Sequence, residues 1–400
     1  MKTLLVTHPW MGRGGSEATA MWTLMALQDL YEVTFVSASP IDWDDLNEVY
    51  GTAVDPGKVR FLRAKKLPSV NNPHRLAHAQ LRYFESFCRG IAGDFDGCVS
   101  AYHPIDFGRP GVQLIGDFSF SEEMRRRLYI HGEEFFVHRE TTLRKLYLWA
   151  SSFIGREGPP LCERGDLVLA NSQWCADQLK SFFALPEAPV LYPPVILPKA
   201  PASSERDPLG FACLGRIVPE KEIERMVRIL EMVREKGYPV TLRLIGALDS
   251  SDYSKRVEEM VRAYDWITPE GQLAVKEKQE ILAGQSFAIH GCRIEAFGIA
   301  VAEMASMGCI PFVPDCGGAG EIISLPELQY GGEEEAVEKI LRLLDNPEKV
   351  EGLRQPLISA MDRFGPKTFM RSLQDHVLRF IDSRSERDEI SPQENLAAVS

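Results

Sequence analysis

The chain has 400 residues, 44% of them hydrophobic and 26% charged, which suits roughly two domains at the usual ~150 residues each and rules out global disorder. Its 45 Lys and Arg against 57 Asp and Glu leave a net charge of −12, so no general positive footprint exists for nucleic acid. Eight scattered cysteines without a C-x-x-C pair, no run of about 18 apolar residues, and an apolar start cut short by Thr7, His8 and Pro9 point to a cytoplasmic protein with reduced thiols and no disulfide framework or zinc site.

Short β-branched runs alternate with helix-period stretches throughout, the pattern of parallel sheets wrapped by helices. In chain order, strands are expected at 2–7, 32–38, 97–100, 112–115 and 167–170, with helices at 16–30 and 173–183. Periodicity then collapses into prolines between Pro186 and Pro208, a connection between domains. A second series follows, with strands at 211–214, 241–245, 286–289 and 310–313. Its helices fall at 222–236, 253–263, 276–283, 333–344 and 367 to about 383. The helix at 222–236 places Ile223, Met226, Val227, Leu230 and Val233 on one face. The expected fold is α/β, with two Rossmann-like domains whose parallel sheets face a ligand-binding cleft. The divisions are a first domain at 1–195, a Pro-rich linker at 196–209 and a second domain at 210–366. A helix at 367–384 is expected to pack back on the first domain, and a tail at 385–400 to fray.

Three loops carry the chemistry. The first runs from Met11 to Glu17 and includes Gly14 and Gly15, where glycines let a ligand approach amides at a helix N-terminus. A dinucleotide fingerprint would need a third glycine where Glu17 stands and an acid after the second strand, so NAD is disfavoured. The second loop, Gly215 to Lys221, sets Arg216 and Lys221 at the mouth of a strand, suited to a diphosphate. The third is the most informative: Glu295-Ala296-Phe297-Gly298-Ile299 leads into a helix bearing Glu303, with Gly308 closing it. There Glu295 can meet sugar hydroxyls, the Gly298 and Ile299 amides phosphate oxygens, and Glu303 a ribose.

The E-x-F-G-x-x-x-x-E pattern, the G-R-…-E-K loop, Asn171-Ser172 after a strand, and Gly317-Gly318-Ala319-Gly320-Glu321 occur in an order that resembles the family 4 retaining glycosyltransferases of the GT-B type. The likeness spans roughly 1–380. It implies a metal-independent transfer of a sugar from a nucleoside diphosphate donor to a hydroxyl acceptor, with retention and with no cofactor. Arg216 and Lys221 would hold the diphosphate and stabilise the leaving nucleotide, Glu303 would bind ribose, and Glu295 with the 296–299 backbone would position the sugar. UDP-sugars and GDP-sugars are both open as donors. The stretch from His290 to Glu303 is somewhat similar to mannosyltransferases that extend lipid-linked oligosaccharides, which adds GDP-mannose as a candidate. Many family members carry a His where this chain has Gly116. His103 and Asp117 are the acceptor-side candidates there, Asp117 counting with Glu295, Arg216 and Lys221 as catalytic. Asp94-Phe95-Asp96 has D-x-D letters but precedes a first-domain strand, so no metal site is expected.

Two further readings stay open, a same-fold nucleotide-sugar epimerase and a non-catalytic sugar-nucleotide-binding protein. Residues 121–156 mix Arg125, Arg126, Arg127, Arg139, Arg144, Lys145 and Arg156 with aromatics including Tyr129, Phe135, Phe136 and Trp149. That composition suits peripheral contact with anionic lipid. The interspersed acids Glu122, Glu123, Glu133, Glu134 and Glu140 argue instead for an ordinary salt-laced helical face.

Overall fold

A computed structural model describes residues 1–65, 76–128, 141–154, 158–197, 205–249 and 251–397, with side chains described through 384. Pro198 and Pro201 of the linker, and Tyr129, Glu133, Glu134, Phe135, Phe136, Arg139, Glu140 and Arg156 of the basic stretch, lie outside the described residues. The chain divides into two compact units. One comprises Met1–Asn171, Cys175–Pro194 and Pro366–Ser400, the other Ser172–Trp174 and Val195–Gly365.

The first unit is built in the order β1 (Thr3–Thr7), α1 (Gly15–Leu27), β2 (Glu32–Ser37), α2 (Trp43–Tyr50), β3 (Val59–Arg63), α3 (Ala77–Ile91), β4 (Gly97–Ser100), β5 (Val112–Ile115), α4 (Glu122–Leu128), α5 (Thr142–Ser152), β6 (Leu167–Ala170) and α6 (Gln173–Phe183). Its six strands lie in the order β3-β2-β1-β4-β5-β6, every pair parallel. Alternation along β1 sends Leu4 and Val6 into one apolar cluster and Leu5 into another, because successive strand residues face opposite sides of the sheet. α2, β3 and α3 fill a stretch for which the sequence reading proposes no elements.

The second unit contains β7 (Asp207–Leu214), α7 (Ile223–Glu235), β8 (Thr241–Ile245), α8 (Asp252–Arg262), β9 (Ile267–Gly271), α9 (Val275–Ala283), β10 (Gln285–Ile289), α10 (Ile299–Ser306), β11 (Ile310–Pro314), α11 (Gly317–Ile322), β12 (Gln329–Tyr330), α12 (Glu333–Leu344) and α13 (Pro347–Met361). The sheet order is β12-β11-β10-β7-β8-β9. Phe211, Phe287 and Phe312 stack across its three central strands with neighbouring centroids 5.0–6.3 Å apart. All five residues assigned to the inner face of α7 are buried. β7 starts at Asp207, inside the stretch read as linker, and Pro208 is accommodated beside a register irregularity of the β10–β7 pairing.

The last helix, α14, runs Pro366–Ala397 and belongs to the first unit. Phe369, Leu373, Val377 and Ile381, spaced by four, join the cluster that holds Leu4 and Val6, and Gln374 Nε2 donates to Ala26 O at 2.6 Å. The helix continues past 384, where the sequence reading has a fraying tail.

Candidate functional site

In the second unit, the loop after β7 and the loop after β10 meet through their side chains. Lys221 is ion-paired to Glu295 Oε2, and His290 Nε2 lies 3.1 Å from the same oxygen. Burial by itself would raise the Glu295 carboxyl; the Lys221 charge and the His290 ring override it and hold Glu295 far below the usual carboxylate range. Burial pulls the Lys221 ammonium down, and the Glu295 charge more than restores it, leaving it raised. Burial also lowers His290, so its ring is neutral near pH 7. Arg216 stands exposed on the same loop as Lys221, with no ion-pair partner among the described residues.

Backbone geometry sets this pair. Gly298 adopts φ +107° as the N-cap of α10, a conformation that favours glycine. A Cβ on Gly318 would stand 2.4 Å from Ala296 O and 2.6 Å from Phe297 Cα, and the Gly318 amide donates to Glu295 O at 2.7 Å. The glycine pair opening α11 thus presses the 295–297 loop into place. Phe297 turns inward against Phe364, centroids 5.1 Å apart, so only its backbone faces the site. Helix α10 begins at Ile299, and the Ile299 and Ala300 amides at its start lie beyond the reach of intrahelical carbonyls. Glu303, on the next turn, pairs with Lys278 of α9 at 2.9 Å. That partner was not foreseen, since nothing in the α9 sequence marks one lysine above its neighbours.

His290, Cys292 and Glu295 bring a ring nitrogen, a thiol and a carboxylate oxygen within 4.8 Å of one another. Their donor set suits a metal poorly. Lys221 already sits on the carboxylate, and burial pushes the Cys292 thiol far above thiolate range.

In the first unit, the acceptor-side candidates lie past the carboxyl ends of β4 and β5. Tyr102 donates to Asp117 Oδ2, while the Ser119 amide and hydroxyl donate to Oδ1 at 2.8 and 2.6 Å. Burial would raise Asp117; His103 and these donors outweigh it and lower the carboxyl. The Tyr102 ring also explains Gly116: a Cβ there would stand 2.8 Å from two ring carbons, leaving no room for a histidine. His103 packs its ring 3.9 Å from Tyr102, and its Nδ1 has no hydrogen-bond partner among the described residues. His8, past the end of β1, stacks 5.5 Å from Tyr102. It is 2% exposed, and among the described residues neither ring nitrogen lies in good hydrogen-bond geometry with a partner. Burial, then His103, drives its pKa down to about 3. The sequence analysis does not single out His8; its place directly after the first strand was the available signal for a candidate.

In the glycine loop of the first unit, which holds the donor-side candidates Gly14 and Gly15, the Gly14 amide donates to the Tyr50 hydroxyl at 2.8 Å, and that hydroxyl donates to Gly12 O at 3.0 Å. Ser16 Oγ donates to Glu17 Oε2 at 2.7 Å, so the start of α1 carries its own carboxylate near Gly14. Asp96 of the D-x-D letters accepts from the Thr3 amide and hydroxyl at 2.7 and 2.9 Å, a structural tie.

Residues 199–356 match the family model for glycosyl transferases group 1. The matched stretch lies within the second unit. Both sheets together have the GT-B fold, as comparison with solved structures shows. Sucrose-phosphate synthase from Thermosynechococcus elongatus superposes with a TM-score of 0.70 at 15% identity over 96% of this chain and 100% of that one. Anabaena HepE in complex with UDP and glucose gives 0.65 at 14%, covering 95% and 100%. WaaG, a glycosyltransferase involved in lipopolysaccharide biosynthesis, gives 0.62 at 14%, covering 94% and 99%. No curated protein matches the chain in sequence. Within the matched stretch lie Arg216, Lys221, Glu295 and Glu303, each in the loop or helix turn described above.

Proposed function

We propose that this protein is a retaining, metal-independent glycosyltransferase of the family 4 type, moving a sugar from a nucleoside diphosphate sugar to a hydroxyl acceptor. The observation that carries the reading is the Lys221–Glu295 pair beside exposed Arg216, in a domain matched to group 1 glycosyl transferases. Breaking a glycosyl–phosphate bond leaves negative charge on the diphosphate. Two cations held at that point stabilise it, doing the work of a divalent ion. Glu295 keeps Lys221 protonated and aimed, and the arriving diphosphate takes up part of the ammonium's bonding capacity. Amides of Ile299 and Ala300 supply further donors at the positive end of α10. Glu303, steadied by Lys278, accepts the ribose hydroxyls. In the first unit, His103, Asp117 and also His8 and Tyr102 form the acceptor-side set: two neutral imidazoles and an ionised carboxylate suit an uncharged, hydroxyl-rich ligand.

Complexes of the similar HepE with UDP-glucose, and of a pneumococcal O-GlcNAc transferase with UDP and GlcNAc, put UDP-sugars first among donors, with GDP-sugars including GDP-mannose next. The eight free cysteines favour a reducing, cytoplasmic setting. The deciding experiment measures binding and slow hydrolysis of UDP-, GDP-, ADP- and dTDP-sugars with EDTA present. One donor bound and hydrolysed supports the transferase. Release of UDP with an unsaturated sugar and no acceptor would favour the epimerase, and binding without turnover toward any acceptor would favour a binding protein.

A further inference from the structure

Lys221 and Glu222 are neighbours in the chain, and each reaches across to the loop after β10. Lys221 pairs with Glu295, and Glu222 accepts from Arg293 Nε at 2.8 Å. Two ion pairs therefore join the same two loops, from 221 and 222 on one to 295 and 293 on the other. The backbones beneath them lie close together. A Cβ on Gly291 would stand 2.8 Å from Lys221 O and 3.1 Å from Glu222 O, so any side chain at 291 would push the loops apart.

Glu222 holds an uncommon backbone. Its φ and ψ are +51° and +46°, and with Leu76 and Ala184 it is one of three non-glycine residues at positive φ among the described residues. That conformation suits glycine and strains a residue with a Cβ. What Glu222 offers that glycine would not is a carboxylate. It lies between two guanidinium groups, Arg293 on one oxygen and Arg225 at 3.6 Å on the other. Arg225 is also held over the Tyr330 ring, 5.1 Å from its centroid, whereas the Arg293 side chain is 55% exposed. An ion pair so open to water contributes little to stability. The strained residue therefore serves the alignment of the two loops, the kind of use for which local strain persists.

We propose that Glu222 is a positioning residue for the donor site, clasping the β7 loop to the β10 loop through Arg293 so that Lys221 and Glu295 keep their alignment while a diphosphate draws on the Lys221 ammonium. The inference rests on the transferase reading for what binds there, and on the two loops alone for the clasp. As the bond to the sugar breaks, the charge growing on the diphosphate competes with Glu295 for Lys221. The pair at 222 and 293 does not share that ammonium, so it persists while the first pair slackens. Its benefit is therefore greatest at the transition state, where a small misplacement of the cation costs most.

Hydrogen exchange of the full chain without ligand tests the clasp, each variant being observed on the opposite loop. Glu222→Gly is expected to speed exchange about fivefold in the peptide carrying Gly318, whose amide donates to Glu295 O. Arg293→Gln is expected to do the same at the first turn of α7, where the Arg225 and Met226 amides donate to Glu222 O. Melting of either variant is expected within about 3 °C of the wild type, since glycine suits the backbone at 222 and Arg293 is half-exposed. The kinetic half uses the donor hydrolysed among UDP-, GDP-, ADP- and dTDP-sugars with EDTA present. There kcat is expected to fall about tenfold in both variants with KM changed less than about threefold. The double variant should be no worse than either single one, and Arg293→Lys should recover most of the loss. Unchanged exchange on the opposite loops overturns the proposal, as does lower melting with kcat intact, the mark of a merely structural residue. A loss in Glu222→Gly that Arg293→Gln does not share also overturns it and assigns Glu222 to Arg225 alone. A wild type inert toward every donor sinks the transferase reading and leaves exchange to decide the clasp.

Discussion

Glu295 satisfies two opposed demands, a nearly buried carboxylate and a fixed negative charge, because Lys221 and His290 converge on one of its oxygens. Removing the counter-charge alone strands the anion. Lys221→Met is therefore expected to lower stability by about 3 kcal/mol and to abolish most turnover, whereas Lys221→Met/Glu295→Gln should regain much of the stability and none of the activity. Thermal melts beside hydrolysis rates check both halves. The two donor residues separate kinetically: Glu303→Gln should weaken donor binding about tenfold with kcat little changed, and Arg216→Ala should act mainly on kcat, because the charge it meets grows as the bond breaks. Equal effects on both constants in both variants would remove the proposed division of labour. His8 gives a pH signature. Its pKa is lowered to about 3 in the folded protein from about 6.5 unfolded, so the unfolded chain binds more protons between those values. The contribution is whole above the unfolded pKa and is lost as pH falls through the window, about 2 kcal/mol between pH 7 and 5. His8→Gln should flatten that part of the stability curve.

At the scale of elements, the donor loops depend on close backbone contacts that only glycine permits. A methyl group at Gly318 would meet backbone atoms of Ala296 and Phe297, neither of which can rotate away. Gly318→Ala is expected to cost about 1–3 kcal/mol and to weaken donor binding, since the displaced loop carries Glu295. Calorimetric melting with donor titration reads both. The order of motifs, strand then loop then helix, was legible because each strand is a short β-branched run and each helix opens where the apolar period changes. Edge elements were not. β9 contains Pro269 and β12 has two residues; a strand with one paired side needs little propensity of its own. α13 contains Gly352 and Pro356, which blur the helical period that tertiary packing nonetheless enforces.

On the scale of the molecule, the last helix completes the first unit although it follows the second in the chain. Its Phe369, Leu373, Val377 and Ile381 are 3%, 0%, 0% and 4% exposed, and burying four such side chains stabilises by about 6–12 kcal/mol, comparable with the total stability of a typical domain. Truncation after Gly365 should therefore unfold the first unit; a native-like near-ultraviolet spectrum in the truncated protein would refute this.

The amino-acid sequence by itself determined the two-sheet α/β architecture, the inner face of α7 and the residue types of the donor loops, because these follow from local periodicity and from chemistry carried by neighbours in the chain. Only the tertiary structure decided which groups are spoken for. The Gly14 amide belongs to Tyr50, Glu295 to Lys221, Glu303 to Lys278, and the space beside Gly116 to Tyr102. Each partner lies 14 to 74 residues away, and a contact across that distance is set by how the elements pack, not by any pattern either segment displays alone.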